Sequence, residues 1–226
     1  MKASDFYTLP ESLATFAPFF DPADAPWNWL RAIPAALAWL PKAEPWAGLP
    51  ASVRIQGEVH LAPDVKLPAY CTIIGPTWIG PRTEIRPGAF IRGNVIVGAD
   101  AVLGNACEFK NCLLMDGVQV PHFSYIGDSI LGNKAHLGAG AICSNLRFDQ
   151  KPVSVRTPEH VHETGLRKFG AILGDHAEVG CNAVLNPGSV VGPRALVAPG
   201  TIFSGYLPPA TIARQRGNVS FLPRRD

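Results

Sequence analysis

The sequence predicts a parallel β-helix built on a six-residue repeat. A large apolar residue recurs at every sixth position for eleven consecutive sites from Ile55 to Met115, and the spacing resumes from Leu173 to Phe203. Four residues after most of these sites the side chain is small or β-branched, and glycine often follows one residue after. A period of six matches neither the 3.6 of a helix nor a long alternating strand, but it does match a short strand followed by a tight corner.

Three such strands close one triangular coil, so 18 residues form the structural repeat and the chain is predicted to be an all-β solenoid. We place the β-helix at residues 51–207. Residues 1–50 lack the repeat and are rich in aromatic residues, which predicts short amphipathic helices packed on the solenoid as a cap. A nucleotide- or partner-binding role of this segment is the alternative. Residues 208–226 form a basic C-terminal tail that departs from the period.

The charge balance of the chain is close to neutral. Lys plus Arg number 20 and Asp plus Glu number 18, which gives a net charge of +2. A net charge this small creates too weak an electrostatic field to attract nucleic acid or an acidic membrane surface. Any anion must therefore be bound by local groups. The N-terminus lacks the apolar core of a signal peptide, and the apolar stretch 25–40 is interrupted by proline and arginine. We therefore expect a cytoplasmic protein that does not enter a membrane.

The cysteines and the paired histidines give no sign of a bound metal. The five cysteines show no CxxC spacing and mostly stand among apolar or small neighbours, which predicts reduced, buried thiols. His160 and His162 are two residues apart in a charged loop, and no third ligand accompanies them. We therefore predict that no metal is tightly bound.

The repeat breaks in two places, and these breaks are where a functional site is expected. Between Pro121 and Leu131 the apolar sites run in steps of five. Residues 144–170 have no hexad spacing for 27 residues and are rich in charge. An excursion of this length inside a compact repeat is typical of a functional loop.

Several polar residues in and near these breaks are candidates for binding an anion. Lys110 and Arg86 share the outward position of their hexads, where each is either a ligand-binding group or a solvated charge. Arg167 and Lys168 end the excursion and could hold a phosphate, or could be solvated. His122 directly follows an apex position, so we expect its side chain to point outward, either into a site or into solvent.

The segment EFKNCLLMDGVQVPHFSYIGDSILGNKAHLGAGAICSNLR, residues 108–147, carries a family likeness. Its string H-x-x-Y-I-G-D, followed by L-G-A-G and S-N, resembles the acetyltransferase domain of bifunctional glucosamine-1-phosphate N-acetyltransferase / UDP-N-acetylglucosamine pyrophosphorylase, in particular the archaeal-type sugar-1-phosphate members. The likeness covers roughly residues 53–205. It implies a left-handed β-helix, a homotrimer with active sites in the clefts between prisms, and acetyl-CoA as co-substrate.

The resemblance also implies roles for individual residues. His122 matches the family's catalytic histidine, and a serine is more usual where Cys181 stands. Ala139 and Cys181 fall where the family lines its CoA groove. The positions that match or lie near its sugar-phosphate and sugar contacts are Arg86, Lys110, Tyr125, Asn145 and Lys151.

Two departures from the family pattern concern the substrate. His136 stands where the bacterial domain has an asparagine close to the substrate, so we count it among the substrate-binding candidates. Leu146 replaces a tyrosine after Asn145. Residues 1–50 show no Gly-rich nucleotide loop, so we expect no pyrophosphorylase activity in this chain and a separate nucleotidyltransferase as a candidate partner.

The reaction that the resemblance implies is N-acetylation of an amino-sugar 1-phosphate. A protonated amine must lose a proton before it attacks a thioester, and an imidazole such as that of His122 titrates near neutral pH. Backbone N–H groups of the LGAGA turn, residues 137–141, are candidates for stabilising the oxyanion.

Two other classes of function compete with this one. A regulator or scaffold could keep the trimeric β-helix and bind a sugar phosphate or nucleotide sugar without turnover. A zinc-dependent carbonic anhydrase of β-helix fold would need three histidines with a close pair, whereas His122 and His136 are fourteen residues apart.

Overall fold

The computed structural model describes residues 1–43, 49–215 and 217. Most of the chain winds into a left-handed parallel β-helix whose strands form three parallel sheets of eight, eight and seven strands. Each sheet is one face of a triangular prism, and we number the faces in the order in which the chain visits them. The predicted fold class is confirmed.

The strands of each face pair in register with those one coil away. The first face contains Ser52–Gln56, Tyr70–Ile74, Phe90–Arg92, Glu108–Lys110, Tyr125–Gly127, Ile142–Cys143, Val184–Leu185 and Ile202–Phe203. The second face contains Val59–Leu61, Thr77–Ile79, Val95–Val97, Cys112–Leu114, Ile130–Leu131, Ala171–Leu173, Ser189–Val191 and Tyr206–Leu207. The third face contains Glu84–Ile85, Val102–Asn105, Gln119–His122, His136–Leu137, Glu178–Val179, Leu196–Val197 and Ile212–Ala213.

The interior of the prism is a continuous apolar core. Residues at the hexad sites, such as Ile73, Ile91 and Phe109 on the first face, are fully buried there. Burying one such side chain stabilises the fold by about 1.5–3 kcal/mol. Because each coil adds its own set of buried side chains, stability accumulates along the solenoid.

The interior column departs from the predicted sites near the first break. After Phe109 the next hexad site is filled by Leu114, and Met115, which the period predicts to be inside, instead lies under the N-terminal segment. Val120, and not Pro121, then points into the core. The prediction for Met115 is wrong because these coils are one residue short. Leu114 pairs with Val97, 17 residues earlier, at the corner that leads into the second face.

Residues 1–43 form a helical segment that packs on the solenoid, as predicted, and the segment lies along the second face. They form the 3₁₀ helices Ala3–Asp5 and Glu11–Phe19 and the α-helix Asn28–Ala38. Phe16, Trp29 and other aromatic residues of the segment are buried against the outward residues of this face. Those outward residues, which explain the placement because they are apolar, are Trp78, Ile96, Leu113, Ile130, Ile172, Val190 and Tyr206.

The excursion contains an antiparallel hairpin of Val153–Arg156 and Val161–Leu166. Val153 and Val155 are buried with the N-terminal segment in one apolar cluster, which fixes the hairpin to the body. The irregular excursion contains fewer residues than the predicted 144–170. The backbone of Ser144 still forms a hydrogen bond to the next coil, and a β-bridge between Leu146 and Lys168 closes the base of the excursion.

The β-helix extends past residue 207, where we placed its end. The strand Ile212–Ala213 pairs with Leu196–Val197, so the tail begins with a further strand of the third face. Most of the predicted tail lies outside the described residues, namely residue 216 and residues 218–226. The same holds for residues 44–48, which lie beside the predicted boundary at 50. Among the helices that the structure describes, none is long and apolar enough to cross a membrane.

Candidate functional site

The corner between the third and first faces carries three of the predicted site residues in one column, which we call the His122 corner. Backbone hydrogen bonds fix the stacking: Phe123 N donates to Asn105 O (2.9 Å), Gly140 N to His122 O (3.1 Å) and Asn182 N to Ala139 O (2.9 Å). The column therefore runs Asn105, His122, Ala139, Cys181. The predicted base and both predicted CoA-groove residues lie together.

His122 ends a strand of the third face, and its side chain is exposed, as predicted. Phe123 turns the corner with a φ of 52°, in the left-handed region that a bulky residue rarely adopts. The two rings lie 6.0 Å apart between centroids. Cys181, further along the column, is the exposed cysteine, whereas Cys71, Cys107, Cys112 and Cys143 are buried as predicted.

The LGAGA turn offers fewer free amides than the oxyanion prediction needs. Gly138 N donates to Val179 O (2.7 Å), Gly140 N to His122 O (3.1 Å) and Ala141 N to Gly138 O (3.2 Å). The first two bonds join neighbouring coils and the third closes the turn itself, so these three N–H groups are not available to a ligand. Only the remaining amides of the turn stay candidates for the oxyanion.

A second cluster of polar side chains surrounds Asp128 at the corner between the first and second faces, which we call the Asp128 corner. Asp128 accepts hydrogen bonds from Asn111 Nδ2 (2.8 Å) and Asn145 Nδ2 (2.5 Å), and its Oδ2 is 3.3 Å from Lys110 Nζ. Asn145 Nδ2 also lies 3.1 Å from the Tyr125 hydroxyl. The structure thus gathers the predicted residues Lys110, Tyr125 and Asn145 around one carboxylate.

One short strand separates the two corners. His122 precedes the strand Tyr125–Gly127 and Asp128 follows it, so the predicted base and the polar cluster flank the same part of the first face. Six residues (128 − 122) separate His122 from Asp128, so the two corners are at most about 20 Å apart, at opposite ends of one face.

Comparisons with known proteins identify relatives of this chain. A family model described as the GMPPB C-terminal domain matches residues 73–175. The bifunctional sugar-1-phosphate nucleotidylyltransferase/acetyltransferase of Sulfurisphaera tokodaii is 33% identical over 177 residues, which are 78% of this chain and 44% of that protein. The uncharacterized acetyltransferase YaiX of Escherichia coli (strain K12) is 34% identical over 155 residues, which are 69% of this chain and 67% of that protein. The chain belongs to the hexapeptide-repeat acyltransferases.

Among solved structures, the chain is similar to the UDP-N-acetylglucosamine acyltransferase of Francisella novicida. It matches 66% of this chain and 58% of that one at 16% identity, with a TM-score of 0.35. The chain spans less than half the length of the Sulfurisphaera relative.

Arg86 lies apart from the Asp128 corner within one chain. Its guanidinium pairs with Glu84 on the third face at 2.9 Å, while Lys110 is on the first face. The hexad position is the same, but the separation of 24 residues (110 − 86) equals one coil of 18 plus one face of six. The substrate role of Arg86 stays a prediction.

The basic residues of the excursion lie at its base and are exposed. Lys168 pairs with Leu146, next to Asn145 in the chain, and Arg167 Nη2 donates to Gln150 Oε1 at 2.7 Å. Lys151 is exposed on the strand-like approach to the hairpin. Their roles in phosphate binding stay predictions.

His136 lies on the third face, stacked between Gln119 and Glu178. It precedes Ala139 by three residues, so it flanks the His122 corner from the side opposite to Tyr125. Its substrate role stays a prediction. In the hairpin, the rings of His160 and His162 lie 6.1 Å apart, and the described part of the chain contains no group of three His, Cys, Asp or Glu residues that could hold a metal.

Sequence reasoning missed two residues of this site. Asp128 stands inside the quoted H-x-x-Y-I-G-D string, and its burial at the centre of the cluster marks it as important. Arg92 lies one coil below Lys110, pairs with Glu108 at 2.5 Å and stands 5.7 Å from the centre of the Phe90 ring. The sequence feature that could have identified Arg92 is its spacing of one coil, 18 residues (110 − 92), from Lys110.

An open cleft of about 500 Å³ lies at the start of the excursion, beside the C-terminal coils. Its apolar part includes Phe148, which is fully exposed. The other residues lining the cleft are Ser144, Leu146, Arg147, Asp149, Asn186, Pro187 and Ser204. Two of them, Ser144 and Leu146, are the chain neighbours of Asn145, and the cleft is large enough for a ligand.

Proposed function

We propose that this chain transfers an acetyl group from acetyl-CoA to the amine of an amino-sugar 1-phosphate resembling glucosamine 1-phosphate. One observation carries the proposal: His122 and the Tyr125–Asn145–Asp128 cluster flank a single strand of the first face. The names of the relatives, which include a sugar-1-phosphate acetyltransferase, support the substrate class. The Ala139 and Cys181 column would receive the CoA chain beside His122.

In this mechanism His122 removes a proton from the protonated amine of the sugar. The freed lone pair forms a C–N bond to the thioester carbonyl carbon, and the C–S bond breaks as the tetrahedral intermediate collapses. The proton on His122 then passes to the departing thiolate, and the new amide nitrogen releases its one extra proton to solvent, so the products are the amide, the free thiol of CoA and one H⁺. A base in this role needs exposure to the substrate, which His122 has.

The direct test is to incubate the protein with acetyl-CoA and a panel of amino-sugar 1-phosphates and to measure the release of free thiol. Turnover of at least one acceptor is expected. If the protein binds a sugar phosphate or nucleotide sugar tightly and releases no thiol, the non-catalytic regulator is the better hypothesis. The lack of pyrophosphorylase activity and a separate nucleotidyltransferase as partner remain parts of this proposal.

A homotrimer is the assembly that this proposal requires. The second face is already covered by residues 1–43, which leaves the first and third faces for contacts with other subunits. Both free faces carry exposed apolar side chains, among them Ile202 on the first and Ile212 on the third. The His122 corner lies between these two faces, so subunit contacts would enclose it.

We expect light scattering at micromolar concentration to give three times the chain mass of 24.2 kDa. The physical reason is that exposed apolar residues on two faces of one prism favour association through both. A monomer at this concentration would contradict the trimer, and with it the idea that neighbouring chains complete the active site.

Replacing Lys110 with alanine tests phosphate recognition. We expect the KM for an amino-sugar 1-phosphate to rise about ten- to a hundredfold, because a charge-assisted hydrogen bond contributes about 1.5–3 kcal/mol. The poor reaction of the free amino sugar should change little. The amide donors of Asn111 and Asn145 remain on Asp128, so the fold should survive.

The matched control is Lys66→Ala, which removes an exposed lysine from the third face and should alter neither KM. If Lys110→Ala raises the KM equally for the phosphorylated and the free acceptor, Lys110 does not bind the phosphate. Lys110 would then act through its pairing with Asp128 or serve CoA.

A further inference from the structure

The geometry points to Asp128 as a positioning residue that fixes which atoms of Asn145 and Tyr125 face the acceptor, and we propose this role for it. The inference rests on the proposed function, because it assumes that the acceptor lies beside Tyr125. It adds a residue that neither the repeat nor the family likeness assigned, and it specifies what the acceptor must offer. Asp128 itself does not touch the acceptor.

The hydrogen-bonding capacity of each group determines the orientation of the network. An ionised carboxylate only accepts hydrogen bonds, so the atom of Asn145 that lies 2.5 Å from Asp128 Oδ2 must be the amide nitrogen. The second hydrogen of that nitrogen points to the Tyr125 hydroxyl oxygen at 3.1 Å. Both amide hydrogens of Asn145 are thereby used inside the protein, and its Oδ1 is left for a ligand.

The same argument assigns the Tyr125 hydroxyl. Its oxygen accepts from Asn145, so its own proton is free to be donated. Within the described residues no acceptor for that proton is found. The site therefore presents one acceptor, Asn145 Oδ1, and one donor, the Tyr125 hydroxyl.

This arrangement depends on the charge of Asp128. The residue is 4% exposed and its carboxylate is held by two amide donors and by Lys110. All three partners are hydrogen-bond donors, which is the environment that an acceptor-only carboxylate matches. An asparagine in its place could turn its own amide nitrogen toward Asn145, which would allow the Asn145 amide to reverse.

The substrate class follows from the orientation of the two groups. The acceptor must donate a hydrogen bond to Asn145 Oδ1 through an ammonium or hydroxyl group. It must also accept one from Tyr125 through a phosphate or sugar oxygen. An amino-sugar phosphate offers both within one ring, and a ligand that only accepts hydrogen bonds does not.

The variant Asp128→Asn tests the inference with little change of backbone. Asp128 has a φ of 47°, and Asn111, one coil below, has the same φ with an asparagine side chain. We expect the KM for glucosamine 1-phosphate to rise about tenfold or more, with a smaller change in kcat, because mismatched polar groups weaken binding of the acceptor. The matched control, Asp116→Asn, alters a carboxylate at another corner that accepts from Ala99 N at 2.7 Å, and its KM should stay unchanged.

A second measurement does not depend on turnover. Burial raises the pKa of Tyr125, and the charges of Asp128 and Glu108 raise it further. Asp128→Asn should therefore lower the pH at which Tyr125 ionises, measured as the part of the ultraviolet phenolate titration that Tyr125→Phe removes. Asp116→Asn should leave this part unchanged.

The outcomes separate the inference from the proposed function. A wild-type protein inactive with every acceptor overturns the proposed function, and the Tyr125 titration then still tests the coupling to Asp128. An active wild-type protein whose KM and Tyr125 titration are both unaffected by Asp128→Asn overturns the role of Asp128. A raised KM together with the shifted titration supports it.

Discussion

Replacing His122 with alanine is expected to lower the rate of acetyl transfer by about two to four orders of magnitude, the usual contribution of a positioned general base. The side chain is exposed at the His122 corner, and its backbone carbonyl keeps the bond from Gly140 N in the variant. The melting temperature and the affinity for CoA should therefore stay close to those of the unaltered protein. Thiol release under saturating acetyl-CoA measures the effect.

The matched control is His160→Ala, which removes an exposed imidazole from the hairpin and should leave turnover unchanged. Normal turnover after His122→Ala would show that another group is the base. His136 would then be the first residue to test, because it flanks the same corner from the third face.

Replacing Phe109 with alanine is expected to destabilise the protein by about 3–5 kcal/mol, since it leaves a cavity in the densest part of the core. Phe109 is fully buried, and coils stack on both sides of it through Ile91 and Ile126. For a chain of this length the melting temperature should fall by about 6–20 °C. Thermal unfolding followed by circular dichroism measures the change.

Phe148→Ala makes the same chemical change at a fully exposed site, so it should leave the melting temperature unchanged. A loss of stability in Phe148→Ala as large as that in Phe109→Ala would mean that Phe148 is buried by another subunit. A small loss in Phe109→Ala would contradict the continuous core.

The repeat was predictable because the hexad sites point into the core and carry apolar side chains. Leu67, Ile85 and Leu103 mark the third face of successive coils at a spacing of 18 without reference to distant contacts. Met115 was assigned to the wrong side because the corner before it has one residue fewer. A period alone cannot locate such a deletion, since Leu114 and Met115 are both apolar.

The candidate site also contains some residues that the sequence could identify and others that it could not. His122, Tyr125 and Asn145 could be named because their spacing within one segment matches a family string. Asp128 and Arg92 could not, because a charged residue in a corner looks the same in the sequence whether it is solvated or holds its neighbours. Only the stacking of Asn111, Asp128 and Asn145 in successive coils shows that the carboxylate joins the cluster.

By itself the sequence determined the solenoid and the segment that holds the site, because a local period and a local string suffice for both. The tertiary structure decided that residues 1–43 lie along the second face and that the excursion hairpin packs beside them. It also decided which polar groups meet at the two corners. These contacts join residues far apart in the chain, such as Ser12 with Asp116 and Arg31 with Thr164, and they depend on the registers of coils that no local pattern encodes.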